Sequence, residues 1–279
     1  MTTRTQIVLL GTGTPIADPL RSGPAVAIVV DDVPYLVDCG PGIVRRAAAA
    51  YYGGVRGLAM RNLRTLFLTH LHSDHTAGLP DLILTPWVMG REQPLNVYGP
   101  KGTRVMTEHL LQAYDEDIQI RIHGLEHNHP EGWKVNAHEY SAGVIDRDER
   151  IRVRAFRVKH GSWRHAFGLR FETPDRVIVL SGDTVPHRNV LKFAKGCDVL
   201  IHEVFSHAGL MQRPPKWRKY HTHFHTSTVE LAKIAKKTKP KLLVLYHHLF
   251  FGSTEEEMLD EVRARYKGLV VSGNDLDVL

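Results

Sequence analysis

Short apolar runs rich in β-branched residues alternate with helical patterns from one end of the chain to the other. The first runs, Gln6 to Leu10, Ala25 to Val30 and Pro34 to Val37, are bounded by Gly11, Thr12 and Gly13 and by the Asp31, Asp32 pair, which predicts three strands. The alanine-rich stretch from Gly42 to Tyr52 predicts a helix. Thr65 to Thr69 reads as a buried strand, Thr76 to Met89 as a helix, Leu95 to Tyr98 as a strand closed by Gly99 and Pro100, and Thr103 to Tyr114 as a helix. Further strands are predicted near Lys134 to Tyr140, Ile151 to Lys159, Ala166 to Glu172 and Arg176 to Leu180. A second βα series follows: Val199 to His202, a helix from Ser227 to Lys236, the strand Lys241 to Tyr246, and a helix from Thr254 to Tyr266.

Two halves of similar element order, with no low-complexity linker between them, predict an α/β (α+β) chain of two packed sheets flanked by helices in a single domain, 1–279. The order of elements repeats, but no sequence period does. The least regular stretch is Ser206 to His225, with Pro214 and Pro215 and with Arg213, Lys216, Arg218 and Lys219 beside Trp217 and Tyr220. A loop of that length reads as a lid over a site.

Composition narrows the class. With 43% hydrophobic and 24% charged residues among 279, disordered, collagen-like and coiled-coil readings are excluded. No run of 18 apolar residues is present, so no membrane span is expected, and the opening MTTRTQIVLLGTGTP has no small-residue cleavage site that would mark a secretory signal. The net charge of +6 suits an anionic substrate or a nucleic acid without selecting either. Cys39 and Cys197 stand far apart, which argues against a disulfide framework or a thiolate metal site and predicts a reducing, cytoplasmic compartment. Gly11 and Gly13 have no third glycine at 16, so a dinucleotide site is not expected. The departure from ordinary composition is histidine, at 18 residues.

Those histidines concentrate at strand ends. Directly after the strand at 65–69 come His70, His72, Asp74 and His75, three imidazoles and a carboxylate within six residues. Imidazole with carboxylate and no nearby thiol suits zinc, manganese or iron. A second strand ends in Lys159, His160 and Gly161, a third in Leu180, Ser181, Gly182 and Asp183, and a fourth in His247 and His248. Each of these alone reads as a turn residue; their shared placement at strand C-termini reads as one metal centre. His221 and His223 read as lid or exposed residues, His165 as a pocket residue, and His123, His127, His129 and His138 as solvated.

The glycine loop Gly11 to Thr14, the segment VDCG ending at Gly40, LTHLHSDHTAGLP, VKHG, LSGDT and LVLYHH together resemble the metallo-β-lactamase fold superfamily over nearly the whole chain. IHEVF at 201–205 and FHTSTVELAKIAKKTKPKLLVLYHH resemble its ribonuclease Z and arylsulfatase-like branch. The resemblance implies a four-layer αββα sandwich with a dinuclear site. His70, His72 and His160 would hold one ion and Asp74, His75 and His247 the other, with Asp183 bridging; His248 is the alternative to His247. The ions would be two divalent metals, zinc first and manganese or iron as alternatives. Asp74 would orient an attacking hydroxide held by the metals, and His225, aimed by Glu203, would protonate the leaving group.

Ribonuclease Z enzymes that trim precursor transfer RNA usually carry a long Gly/Pro-rich arm between the positions of His160 and Asp183, whereas 22 residues separate them here. The expected function is therefore a dinuclear hydrolase of phosphodiester or related ester bonds, similar to ribonuclease Z but without the arm. The alternatives are an arylsulfatase-like or carboxylic ester and lactone hydrolase on small molecules and, from another class, a non-catalytic metal- or RNA-binding protein. Expected partners are a small anionic or ester substrate, RNA, and a second copy in a homodimer, with no membrane.

Overall fold

The computed structural model describes residues 4–279, which form two compact units: one runs to Tyr140 and takes in Asn274–Leu279, the other is Ser141–Gly273.

The first unit is built on a six-stranded sheet in sequence order: β1 (Thr5–Gly11), β2 (Ala25–Val30), β3 (Val33–Val37), β4 (Thr65–Phe67), β5 (Leu95–Gly99) and β6 (Val135–Glu139). β1, β2 and β3 pair antiparallel; β3 to β6 pair in parallel. Asp31 and Asp32, both left-handed at φ 49° and 62°, make the two-residue hairpin between Val30 and Val33. That geometry matches the right-handed twist of the strands it joins. The last residues return to cover β1, with Val8 bridged to Val278 and Ile7 and Leu279 exchanging both backbone hydrogen bonds. Helices α1 (Ile43–Tyr52), α2 (Ser73–Thr76), α3 (Leu79–Val88), α4 (Thr103–Ala113) and α5 (Asp115–His123) belong to this unit. Ile43, Val44 and Ala47 of α1 and Leu79, Leu82 and Ile83 of α3 join the strand residues Val8, Ala27, Leu36 and Leu66 in one apolar core.

The second unit has a seven-stranded sheet: β7 (Gly143–Arg147), β8 (Arg152–Arg157), β9 (Phe167–Glu172), β10 (Val177–Leu180), β11 (Val199–Phe205), β12 (Leu242–Leu249) and β13 (Val270–Ser272). The pattern of the first unit recurs, antiparallel from β7 to β10 and parallel from β10 to β13. Its helices are α6 (Arg188–Phe193), α7 (His207–Met211), α8 (Pro215–Phe224), α9 (Thr228–Thr238) and α10 (Glu255–Arg263). α9 and α10 open on capping boxes, Ser227 with Glu230 and Thr254 with Glu257, which satisfy otherwise orphaned backbone donors. Leu231, Ala232 and Ala235 of α9 and Met258 and Val262 of α10 pack on Leu200, Val204, Leu243 and Leu245 of the sheet.

The structure corrects the sequence reading in several places. Residues 206–225 are not an irregular loop: α7 and α8 occupy most of them. Pro215 sits in the first turn of α8, where its missing N–H costs nothing, so the paired prolines start a helix rather than prevent one. The helix expected over 76–89 is split at Ala77 and Gly78 into α2 and α3. α5, β7, α6 and β13 were not read from the pattern; α5 carries acids in its first turn and basic residues in its last, a dipole signal that hydrophobic periodicity overlooks.

One buried cation ties the first unit together. Arg91 is fully buried and donates from Nη1 to the carbonyls of Leu63 and Leu82 (3.0 and 2.9 Å) and from Nη2 to those of Ile83 and Gly132 (2.6 and 3.0 Å). Burial lowers its pKa to about 10, so it remains charged at neutral pH. Arg91→Ala removes the side-chain donors to four buried carbonyls at once and is expected to lower the unfolding free energy by at least about 3 kcal/mol in urea denaturation. A change below about 1 kcal/mol would refute this role.

Candidate metal centre

In the first unit the donors follow β4. The chain leaves the strand through Leu68 and Thr69, and His70, His72, Asp74 and His75 come within one turn of each other, with His70, Asp74 and His75 buried. His70 Nε2 lies 3.0 Å from His72 Nδ1, and His75 Nε2 lies 3.5 Å from Asp74 Oδ2. Donor atoms around a tetrahedral zinc ion sit about 3.3 Å apart, given bonds of about 2.0–2.1 Å, so these spacings suit shared coordination.

Asp38, at the end of β3, holds this loop in place. Its Oδ1 accepts the Thr69 backbone N–H at 2.8 Å, and its Oδ2 is 2.9 Å from both Thr69 Oγ1 and His75 Nδ1. A carboxylate acceptor at Nδ1 keeps the His75 proton there and leaves the lone pair on Nε2, the tautomer a metal requires. Tyr140 closes the other side, its hydroxyl donating to Leu68 O at 2.6 Å; burial and the Asp38 charge push the phenol well above its ordinary pKa. Neither Asp38 nor Tyr140 was singled out from the sequence, although the VDCG segment placed an acid directly after an apolar strand. The same segment needs Gly40, because a Cβ there would stand 2.6 Å from the Asp74 carbonyl. Beside Ser73 and Asp74 a cleft of about 690 Å³ opens, lined also by Pro15, Ile16, Arg21 and Gly42.

In the second unit the donors again follow strands. His160 lies beyond β8, Asp183 beyond β10, and His247 near the C-terminal end of β12. Asp183 Oδ2 stands 3.8 Å from His160 Nε2 and 3.6 Å from His247 Nε2. Asp183, His225 and His247 each offer an atom within 4.8 Å of the others. His160 Nδ1 donates to the Phe224 carbonyl at 2.8 Å, which again assigns the lone pair to Nε2. The register of β11 with β12 slips so that Glu203 pairs with Tyr246 and Val204 with His248. His247 is the extra residue of this bulge and takes φ 48°, which swings it toward Asp183. His248 turns elsewhere, 3.0 Å from Ser272 Oγ and stacked on Phe250.

Glu203 and His225 meet. Glu203 Oε2 is 3.3 Å from His225 Nδ1, while its Oε1 accepts the backbone N–H groups of Thr226 (2.9 Å) and Thr184 (3.2 Å). Burial first, and then the Asp183 charge, raise the Glu203 pKa well above the carboxylate range. His225 turns Nδ1 toward the glutamate, with Asp183 Oδ2 4.0 Å from the same nitrogen. The neighbouring His202 is fully buried; its Nδ1 donates to Glu203 O at 2.6 Å, its Nε2 has no partner among the described residues, and burial lowers its pKa to about 4. His123, His127, His129 and His138 are exposed, and His165 and His221 are half-buried.

The family described as "Beta-lactamase superfamily domain" matches residues 34–248. The chain is 36% identical to the ribonuclease Z of Mycobacterium bovis (strain BCG / Pasteur 1173P2) over 278 residues, covering 97% of this chain and 96% of that protein. Such an alignment leaves no room for a long internal insertion in that relative. Among solved structures, the metallo-beta-lactamase fold protein YhfI of Bacillus subtilis superposes with a TM-score of 0.74 at 16% identity, covering 99% of this chain and 98% of that one. The short form of human tRNase Z superposes with a TM-score of 0.72 at 25% identity, covering 98% of each chain.

Two predictions come from this geometry. Asp38→Ala removes the acceptor that sets the His75 tautomer, and metal affinity in chelator competition is expected to fall about 10–100-fold; undiminished affinity would exclude that role. His202 has a folded pKa near 4 against an ordinary value of 6.5, so the unfolded chain binds more protons between those values. Its contribution is intact above pH 6.5 and is lost as pH falls toward 4, by about 3 kcal/mol in all. Metal-free unfolding curves of His202→Gln should show a shallower decline across that window than the parent, and parallel declines would contradict it.

Proposed function

The chain belongs to the beta-lactamase superfamily and, within it, to the ribonuclease Z family, and from that membership we propose a dinuclear metal-dependent hydrolase acting on the phosphodiester backbone of RNA. The observation that carries the metal reading is the tautomer assignment: His75 and His160 both have Nδ1 committed to a fixed acceptor and the lone pair on Nε2. In this reading, which follows the family resemblance, His70, His72 and His160 would hold one ion and Asp74, His75 and His247 the other, and Asp183 would be shared between them. Imidazole and carboxylate donors without thiolate favour zinc, with manganese or iron as alternatives.

When bound, such ions supply Lewis acidity at the scissile ester and a water acidic enough to attack near neutral pH. The protein's own groups do the rest. Asp74 orients the attacking water and accepts its proton. His225, aimed through Nδ1 by Glu203, presents Nε2 to the leaving oxygen and protonates it. The two N–H donors from Thr184 and Thr226 hold Glu203 in position for that task.

The 22 residues between His160 and Asp183 are taken up mainly by the β9–β10 hairpin, with no arm. Since the mycobacterial relative has no long insertion either, a compact segment is compatible with the ribonuclease Z name that relative carries. A cytoplasmic location is supported by Cys39 and Cys197, both buried and outside any disulfide. No helix among the described residues is long and apolar enough to cross a membrane. A homodimer is carried over from the family alone. A second reading, a small aryl sulfate or carboxylic ester as substrate, is favoured by the cleft beside Asp74, whose volume of about 690 Å³ suits a small molecule.

Hydrolysis of matched nitrophenyl phosphodiester, sulfate and carboxylic ester by the zinc- or manganese-loaded protein separates the two. The phosphodiester is expected to lead, and Asp183→Asn to lower its turnover at least about a hundredfold together with metal content. Turnover led by the sulfate or carboxylic ester would replace the RNA reading with the second one, and full activity of Asp183→Asn would remove the bridging assignment.

A further inference from the structure

Helix α8 is unusual among the helices of the described residues in burying none of its side chains. Ten residues make a marginal helix in water, so something else must hold it. Its C-terminal end is anchored to the His160 loop: His160 Nδ1 donates to Phe224 O, and Gly161 N donates to His223 O at 3.1 Å. The Phe224 ring packs where a Cβ on Gly161 would stand, 2.1 Å from it, so only glycine admits this contact.

Along one stripe of α8, at spacings of three and four, run Trp217, Tyr220, His221 and Phe224. Their rings form a continuous ladder. Trp217 stacks on His221 at 6.0 Å and Tyr220 on Phe224 at 4.5 Å; Phe224 meets His160 edge-on at 5.2 Å, and His221 and His225 are 5.9 Å apart. The lower rungs belong to the candidate centre. The upper rungs face solvent, Trp217 at 49% exposure and Tyr220 at 42%.

The charge around the ladder has one sign. Between Glu203 and Glu230 the chain contains no acidic residue, while Arg213, Lys216, Arg218 and Lys219 all fall there. None of the four forms an ion pair among the described residues. Arg213 lies over the Phe251 ring and Lys216 over Trp217, each at 6.0 Å. A surface that keeps aromatic faces wet beside uncompensated cations is costly unless a ligand with π-faces and negative charge covers it. Single-stranded nucleic acid has both, whereas a duplex keeps its base faces stacked inside.

We propose, resting on the ribonuclease reading above, that α8 is the docking surface for the single-stranded RNA segment leading from the scissile phosphate. Trp217 and Tyr220 stack unpaired bases, and Arg213, Lys216 and Lys219 hold the phosphates between them.

The test uses the full chain with fluorescein-labelled oligouridylate, read by anisotropy, and an RNA hairpin carrying a single-stranded 3′ extension, read by cleavage. Trp217→Ala is expected to weaken oligouridylate binding about tenfold, within the range for losing one stacked base. The ratio of kcat/KM on the hairpin to that on a nitrophenyl phosphodiester is expected to fall in parallel, through KM. Tyr220→Phe should bind like the parent and Tyr220→Ala should not. Lys216→Gln with Lys219→Gln should reduce the salt dependence of log Kd by about 1.4, or 0.7 per phosphate contact. Unchanged binding and KM in Trp217→Ala and Tyr220→Ala would overturn the docking surface while leaving the ribonuclease reading standing. Polyglutamate binding as tightly as oligouridylate would overturn it too, by showing that charge alone is recognised. RNA bound through α8 but never cleaved would uphold the docking surface and refute the ribonuclease reading.

Discussion

A buried imidazole can present a lone pair in a chosen direction only when its other nitrogen has a fixed acceptor, and both units are built around that requirement. His75 meets it through Asp38 and His160 through the Phe224 carbonyl. Without those partners each ring would choose its tautomer freely, and burial would leave a polar nitrogen unsatisfied. The acceptors are themselves held. Asp38 receives the Thr69 N–H and hydroxyl, and the Phe224 carbonyl ends a helix whose last ring fills the space over Gly161. The same logic extends to His225, whose Nδ1 faces a glutamate pinned by two backbone N–H groups.

Meeting that requirement demands backbone positions that ordinary strands do not provide. In the first unit Asp38 leaves β3 at φ 55°, and in the second His247 leaves the ladder of β12 at φ 48°. Each left-handed non-glycine residue costs about 1–2 kcal/mol, which regular pairing of the flanking strands must offset. Some other left-handed residues, such as Asp31 and Asp32, sit in a turn where that geometry closes a hairpin. At Asp38 and His247 there is no turn to close. The strain there serves side-chain direction: without the bulge, His247 would continue the alternation of β12 rather than swing to Asp183.

This explains which parts were legible in the sequence. Strand runs such as Ala25 to Val30 could be read to the residue because β2 is buried throughout and composition alone marks it. The candidate donors could be proposed from the sequence because chemistry-bearing residues clustered at strand ends, and strand ends show as abrupt changes from apolar to polar. The choice between His247 and His248 rested on register, and the bulge that separates them is a property of the β11–β12 pair, invisible in either strand alone. Asp38 went unread because its partners, Thr69 and His75, lie more than thirty positions away. Residues 206–225 misled for a different reason: α8 buries no side chain, so the apolar periodicity by which a helix is usually read is absent from it.

The absence of that periodicity separates two kinds of constraint in one protein. Asp38 and Glu203, which aim His75 and His225, are buried and are themselves held by backbone N–H groups. α8 is anchored at its lower end by His160, Gly161 and Phe224 and touches Phe251 through His221, while the faces of Trp217 and Tyr220 remain exposed. The segment between His160 and Asp183, where an arm would have to be inserted, consists mainly of the β9–β10 hairpin and carries no arm. A surface for recognising something larger than an ester must therefore lie on an element that is exposed yet rigidly joined to the centre. In the second unit α8 meets both conditions: its outer face is open to solvent, and its last residue supplies the carbonyl that sets the His160 ring.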